Sequence, residues 1–150
     1  MLSPLEHGTR LELAAELLQR GQRVSLRVQG SSMLPSLFPG DVLTIRHCDP
    51  REIVAGDIVF FRREGRCYAH RVAERMSNGA ACRLRTRGDA LTSCDPPVSE
   101  SEVLGRVTQI ERKGRRLPPP RLGPVRSLLA EVVRRSNWAA RALIAARRRF

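Results

Sequence analysis

The spacing of apolar residues changes near residue 22. Leu11, Ala14, Ala15 and Leu18 recur at helical intervals behind Thr9-Arg10-Leu11-Glu12, which has the form of a capping box, and Gly21 stands where a helix would stop. This predicts a short helix at about residues 10–20. From Arg23 the period drops to two: Val24, Leu26 and Val28 alternate with Arg23, Ser25, Arg27 and Gln29, the pattern of a half-buried strand. Further strands are predicted over Asp41 to Arg46, Asp57 to Arg62, Arg66 to Met76, Ala81 to Thr86 and about Glu102 to Arg112. Ser77-Asn78-Gly79 supplies a favoured hairpin turn between two of them. The expected fold is mainly β: one small β-domain with a short N-terminal helix ahead of it and a basic helix behind.

The end of the β-pattern is marked by Leu117-Pro118-Pro119-Pro120, since consecutive prolines lack N–H donors and favour an extended chain. Beyond it Val125, Leu128, Leu129, Val132, Leu143 and Ile144 can share one side of a helix, with arginines on the other. The expected division is a helix at 1–22, a β-domain at 23–112, a Pro/Arg-rich linker at 113–124 and a basic amphipathic helical tail at 125–150. A chain of 150 residues fits one ordinary domain.

Charge sharpens this division. Of the formal net charge of +12, a net +10 falls within residues 111–150, where twelve Lys and Arg face only Glu111 and Glu131. The body is therefore nearly neutral, which counts against nucleic acid as its partner and turns attention to the tail. An Arg-rich helix with Trp138 and Phe150 suits peripheral contact with an anionic membrane through residues 125–150. The longest uncharged run, Val28 to Gly40, is thirteen residues broken by Gly and Pro, whereas a spanning helix needs roughly 20 mostly apolar ones. Glu6, Arg10, Glu12 and Glu16 occupy the region where a signal peptide would have its apolar core. The expected location is cytoplasmic, either free or peripheral at the membrane.

Candidate chemistry centres on Gly30-Ser31-Ser32-Met33-Leu34-Pro35, directly after the first predicted strand. A serine hydroxyl becomes a nucleophile when a base, usually His or Lys, takes its proton. Lys113 is the single lysine, and arginine cannot serve as a base because its guanidinium stays charged. His7 and His47 fall in polar surroundings; His70 lies inside a predicted strand, where a structural role and a catalytic one are both open. Asp89 and Asp95, six residues apart in the loop Thr86 to Asp95, could orient a histidine or could be turn residues. The four cysteines, Cys48, Cys67, Cys82 and Cys94, form no C-x-x-C pair, so reduced thiols are expected, with no metal and no organic cofactor.

The segments GSSMLPSLFPGD, GDIVFF, AHRV, TRGDALTSCD and LGRV, in this order, resemble the sequence boxes of the signal peptidase I and LexA-like serine peptidases, over about residues 24–110. The resemblance implies that Ser32, immediately before the methionine, is the nucleophile, and that Met33 and Pro35 contribute to the substrate-binding turn. His70-Arg71 matches the H-R dipeptide of members resembling the archaeal and endoplasmic-reticulum signal peptidases, in which the general base is a histidine. Lys113 lies outside every matched segment. The resemblance implies an orienting carboxylate from the G-D-containing loop, Asp95 first and Asp89 as the alternative. Gly30 stands where many signal peptidases have a serine that helps the oxyanion, which leaves that task to the Ser32 backbone N–H, helped by Ser31.

The expected activity is that of a serine endopeptidase of signal-peptidase type, without a membrane anchor, cleaving leader or signal segments of peptides or proteins after small residues. Two other readings compete with it. One is a LexA-like self-cleaving regulator, although no Ala-Gly pair precedes Ser32 as a cleavage site and residues 1–22 are short for a helix-turn-helix. The other is a catalytically inactive peptide-binding module with a membrane- or nucleic-acid-binding tail.

Overall fold

The computed structural model describes residues 4–79 and 81–149. Its elements are α1 (Pro4–Gln19), β1 (Arg23–Arg27), β2 (Val42–Arg46), β3 (Ile58–Arg63), β4 (Arg66–Asn78), β5 (Ala81–Arg87), β6 (Val98–Ser99), β7 (Val103–Arg112), β8 (Arg115–Leu117), α2 (Pro124–Arg135) and α3 (Asn137–Arg149). The eight strands form one sheet in the order β1-β2-β7-β3-β4-β5-β6, with β8 pairing on β7, and every pairing is antiparallel. The fold is mainly β, as the alternating pattern predicts.

Helix α1 ends as Gly21 requires. The Gln22 N–H bonds the Leu17 carbonyl at 3.0 Å and the Gly21 N–H bonds that of Leu18 at 2.9 Å, a paired closure that needs the left-handed conformation of Gly21 (φ 77°). Its start differs from expectation. The helix begins at Pro4, so Thr9 lies within it rather than capping it; proline is tolerated in a first turn, where its missing N–H has no intrahelical partner to lose. Ala14, Ala15 and Leu18 are buried as the spacing predicts, in one core with Ile45, Phe60 and Val107.

A second core gathers Ile53, Val59, Phe61, Val72, Leu84 and Val98. Strand β3 serves both: Ile58 and Phe60 enter the first, Val59 and Phe61 the second, which explains its uninterrupted apolar run. This central strand pairs Val59 with His70 of β4. His70 is thereby fixed on a strand anchored by two cores.

The tail departs from a single helix. Ser136 takes an extended conformation (φ −147°, ψ 113°), closing α2, and its Oγ accepts the Ala139 N–H at 3.4 Å, capping α3. The burial of α2 is also reversed: Ala130 and Val133 are buried, whereas Leu128, Leu129 and Val132 are exposed. The segment expected as a linker carries β8, reached through Lys113 and Gly114 with positive φ. Among the described residues no helix is long and apolar enough to cross a membrane.

Candidate active site

Ser32 opens a tight turn after β1. The Leu34 N–H bonds the Ser31 carbonyl at 3.1 Å, and the Ser36 and Leu37 N–H groups bond that of Met33 at 2.8 and 3.0 Å. Leu34, Ser36 and Leu37 are buried, so the turn is pinned from below, while Ser32 is half-buried at its rim. Its far end is fixed by Asp41, which accepts the Phe38 N–H at 2.9 Å and pairs with Arg112 at 2.7 Å; the same Arg112 nitrogen reaches the Ser36 carbonyl at 2.9 Å.

Three distant segments converge on this turn. Ser32 Oγ lies 3.1 Å from His70 Nε2, and His70 Nδ1 lies 2.8 Å from Asp95 Oδ2. The Thr86 hydroxyl donates to the same carboxylate oxygen at 2.6 Å, and the Asp95 N–H returns to the Thr86 carbonyl at 2.8 Å. Burial works against the Asp95 carboxylate, but the bonds from His70 and Thr86 outweigh it and hold the group below its ordinary range. An ionised Asp95 favours a proton on His70 Nδ1, which leaves Nε2 free to accept the serine proton. His70 itself is buried, its ring edge-on to Phe61 and tilted against Tyr68.

Asp89 has a different partner. Its two oxygens accept from Nε and Nη2 of Arg71, each at 2.9 Å, and no hydrogen bond joins it to His70 among the described residues. Arg71 also donates to Ser36 Oγ at 3.1 Å and to the carbonyls of Gly56 and Pro120 at 2.8 and 2.9 Å. All five guanidinium N–H groups are thus used, as burial demands. In the structure Asp89, weighed above as the alternative acid, is the counter-ion of Arg71, and the pair ties the loop to the base of the Ser32 turn.

That loop touches the turn directly. The Ala90 N–H bonds the Ser32 carbonyl at 2.8 Å, and a Cβ on Gly88 would stand 2.6 Å from the same oxygen. Only glycine fits so close to another backbone. Gly88→Ala is expected to lower stability by about 1–3 kcal/mol through overpacking, read as a fall in urea midpoint; an unchanged midpoint would show that the turn has room to move.

The residues after Asp95 are fastened by Arg63, which reaches the carbonyls of Pro96 and Pro97, each at 2.8 Å, and pairs with both oxygens of Glu102 at 2.7 and 3.0 Å. The bond from Arg63 dominates over the cost of burial, and with the Ser99 N–H and hydroxyl it holds Glu102 down at about 2, from an ordinary 4.5. A carboxylate depressed in the fold stabilises it above the ordinary value and loses that contribution as pH falls towards the folded one. Between pH 4.5 and about 2 the wild type should therefore lose stability more steeply than Glu102→Gln, as measured by urea midpoints across that window. Parallel curves would remove the clamp from the account.

Beside Ser32 and His70 opens a groove of about 850 Å³ between α1, β1, β2 and β4. Its lining is chiefly apolar, including Leu17, Leu26, Met33, Leu43, Phe60 and Ala69. Met33, expected to contact substrate, lines it; Pro35, named with it, is buried in the turn and is not part of the lining. Ser31, expected as a helper donor, is exposed and is not part of the lining. Cys67 also lines the groove, and burial pushes its thiol up despite Arg62, which keeps it neutral. Among the described residues no group of three His, Cys, Asp or Glu is placed to hold a metal ion.

Reading the sequence missed Thr86, Arg63, Arg112 and the role of Arg71. The available clue was an arginine directly after His70, within an otherwise apolar strand pattern, and an aspartate directly after Gly88. Nothing in their spacing pairs them.

The family model described as Peptidase S24-like matches residues 3–108, from the first helix into β7. No curated protein matches the chain.

Proposed function

Since the chain belongs to the Peptidase S24-like family, we propose that it is a serine endopeptidase of signal-peptidase type that removes leader or signal segments from peptides or proteins, with Ser32 as nucleophile, His70 as general base and Asp95 as orienting acid. The observation that carries this reading is the chain of contacts Ser32 Oγ, His70 Nε2, His70 Nδ1 and Asp95 Oδ2, at 3.1 and 2.8 Å, assembled from a turn, a strand and a loop that are distant in sequence.

The chemistry follows from those contacts. As Ser32 Oγ attacks the scissile carbonyl, its proton passes to His70 Nε2, and Asp95 stabilises the imidazolium that forms. The oxyanion is met by the Ser32 N–H, helped by Ser31 as a second donor. His70 then gives its proton to the leaving amine, and the acyl-enzyme is hydrolysed by water that His70 activates in turn. The substrate lies extended in the apolar groove, beside β1, which is one of the two end strands of the sheet and has backbone groups to offer. Apolar residues just before the cut are therefore favoured over charged ones.

The test is to map new protein N-termini by mass spectrometry in cells carrying the wild type or Ser32→Ala at equal levels. Cleavage products present only with the wild type, sharing small or apolar residues before the cut, support the proposal. Identical N-termini in both overturn it. Loss of the chain's own N-terminal segment at a rate independent of dilution assigns the reaction to self-cleavage instead.

A further inference from the structure

The helix pair α2–α3 leaves four large apolar residues, Leu128, Leu129, Val132 and Trp138, exposed. On α2, Leu128, Val132 and Arg135 follow at i, i+4 and i+7, on the side opposite the buried Ala130 and Val133. On α3, Trp138, Arg141, Ala142 and Ala145 are exposed at i, i+3, i+4 and i+7, while Leu143 and Ile144 are half-buried. Trp138 is 78% exposed, Leu128 67% and Val132 50%, values far from those of a packed helix face. Large apolar side chains left in water on both helices of the pair mark a contact surface.

Charge selects the occupant. Residues 121–149 hold eight arginines against Glu131, and Glu131 is already bonded to Arg134 and Arg135. A second copy of the chain would set arginine against arginine across the face. A nucleic acid would neutralise the arginines but leave Leu128, Val132 and Trp138 without an apolar partner. A lipid surface supplies anionic head groups and an acyl boundary together.

We propose that the outward face of α2–α3 docks on an anionic lipid surface, with Leu128, Val132 and Trp138 entering the head-group boundary and the arginines engaging lipid phosphates. The root of this helix pair is fixed near the Ser32 site, because the Pro120 carbonyl is bonded to Arg71, the neighbour of His70. Docking would thereby tether the domain that carries that site to the surface. The proposal does not depend on the peptidase reading: Ser32→Ala should dock as the wild type does.

Trp138 is the only tryptophan, so its emission reports on this face alone. The full chain is mixed, at physiological salt, with vesicles of phosphatidylcholine containing phosphatidylglycerol, with vesicles of phosphatidylcholine alone, and with duplex DNA. A blue shift and co-sedimentation with the anionic vesicles only are expected. Removing the charges of Arg135 and Arg141 with glutamine should weaken binding roughly 25-fold, about fivefold for each arginine near the surface. Leu128→Ser with Val132→Ser should abolish the shift while leaving the thermal melt unchanged, because both side chains are exposed. No shift with anionic vesicles, unchanged binding by the double serine variant, or an equal shift with DNA would each overturn the proposal.

Discussion

Ser32→Ala and His70→Ala should each lower kcat on a cleaved peptide by about 10⁶, and the double variant should be no worse than either single one. The expectation rests on two bonds made by one imidazole. His70 Nε2 at 3.1 Å from Ser32 Oγ takes the proton that would otherwise keep the hydroxyl a poor nucleophile. With His70 removed, Ser32 has no base, since Lys113 follows β7 outside the groove lining and the surrounding arginines stay protonated. With Ser32 removed, His70 has nothing to activate. Because the two act as one unit, their losses do not add. Binding should survive, as neither change touches Leu26, Leu43 or Phe60 along the groove. Residual turnover comes from the groove and the oxyanion donors alone. Steady-state kinetics on one peptide, with KM and kcat separated, checks this; losses that multiply in the double variant would mean that the two residues act independently, against the mechanism drawn from their contact.

The positions of the longer strands along the chain follow from the alternation of apolar and polar residues, for a physical reason, whereas their order in the sheet does not. β1 and β5 each expose one face, so Val24 or Leu84 turns inward while Arg23 or Arg85 turns outward, and such strands announce themselves. β6 and β8 are two and three residues long, too short for any period to register. The tail misled for another reason. Period alone points Leu128 and Val132 inward, but α2 buries the smaller Ala130 and Val133, and which side of a helix meets its neighbours is set by tertiary contact. The site divides in the same way. Ser32 and His70 stand out because their residue types carry chemistry, and the fold brings them into contact. Asp89 and Asp95 are alike in sequence; what separates them is Arg71, whose five donors fill only when β4, the Ser32 turn and the residues before α2 are all in place.

The two aspartates should consequently fail in opposite ways. Asp89→Ala strips the counter-ion from a buried guanidinium and is expected to destabilise the fold by about 3–5 kcal/mol. Asp95→Asn keeps the shape of its side chain and leaves no buried charge unpaired, but it can no longer hold the proton on His70 Nδ1, so kcat should fall roughly 10⁴-fold with the fold largely intact. The argument for Asp89 is one of accounting for every donor. Arg71 gives two of its five N–H groups to Asp89, one to Ser36 and two to backbone carbonyls; without the carboxylate its charge faces only neutral oxygens in a site closed to water. Mutating Arg71 to methionine together with Asp89→Leu should recover part of the loss, because removing both charges leaves less to desolvate than removing one. Recovery will be incomplete, since the Gly56 and Pro120 carbonyls and the Ser36 hydroxyl then lose a donor. Urea unfolding gives the stabilities and single-turnover cleavage gives the chemistry. If Asp89→Ala proved stable but inactive, and Asp95→Asn active, the roles of the two carboxylates would have to be exchanged.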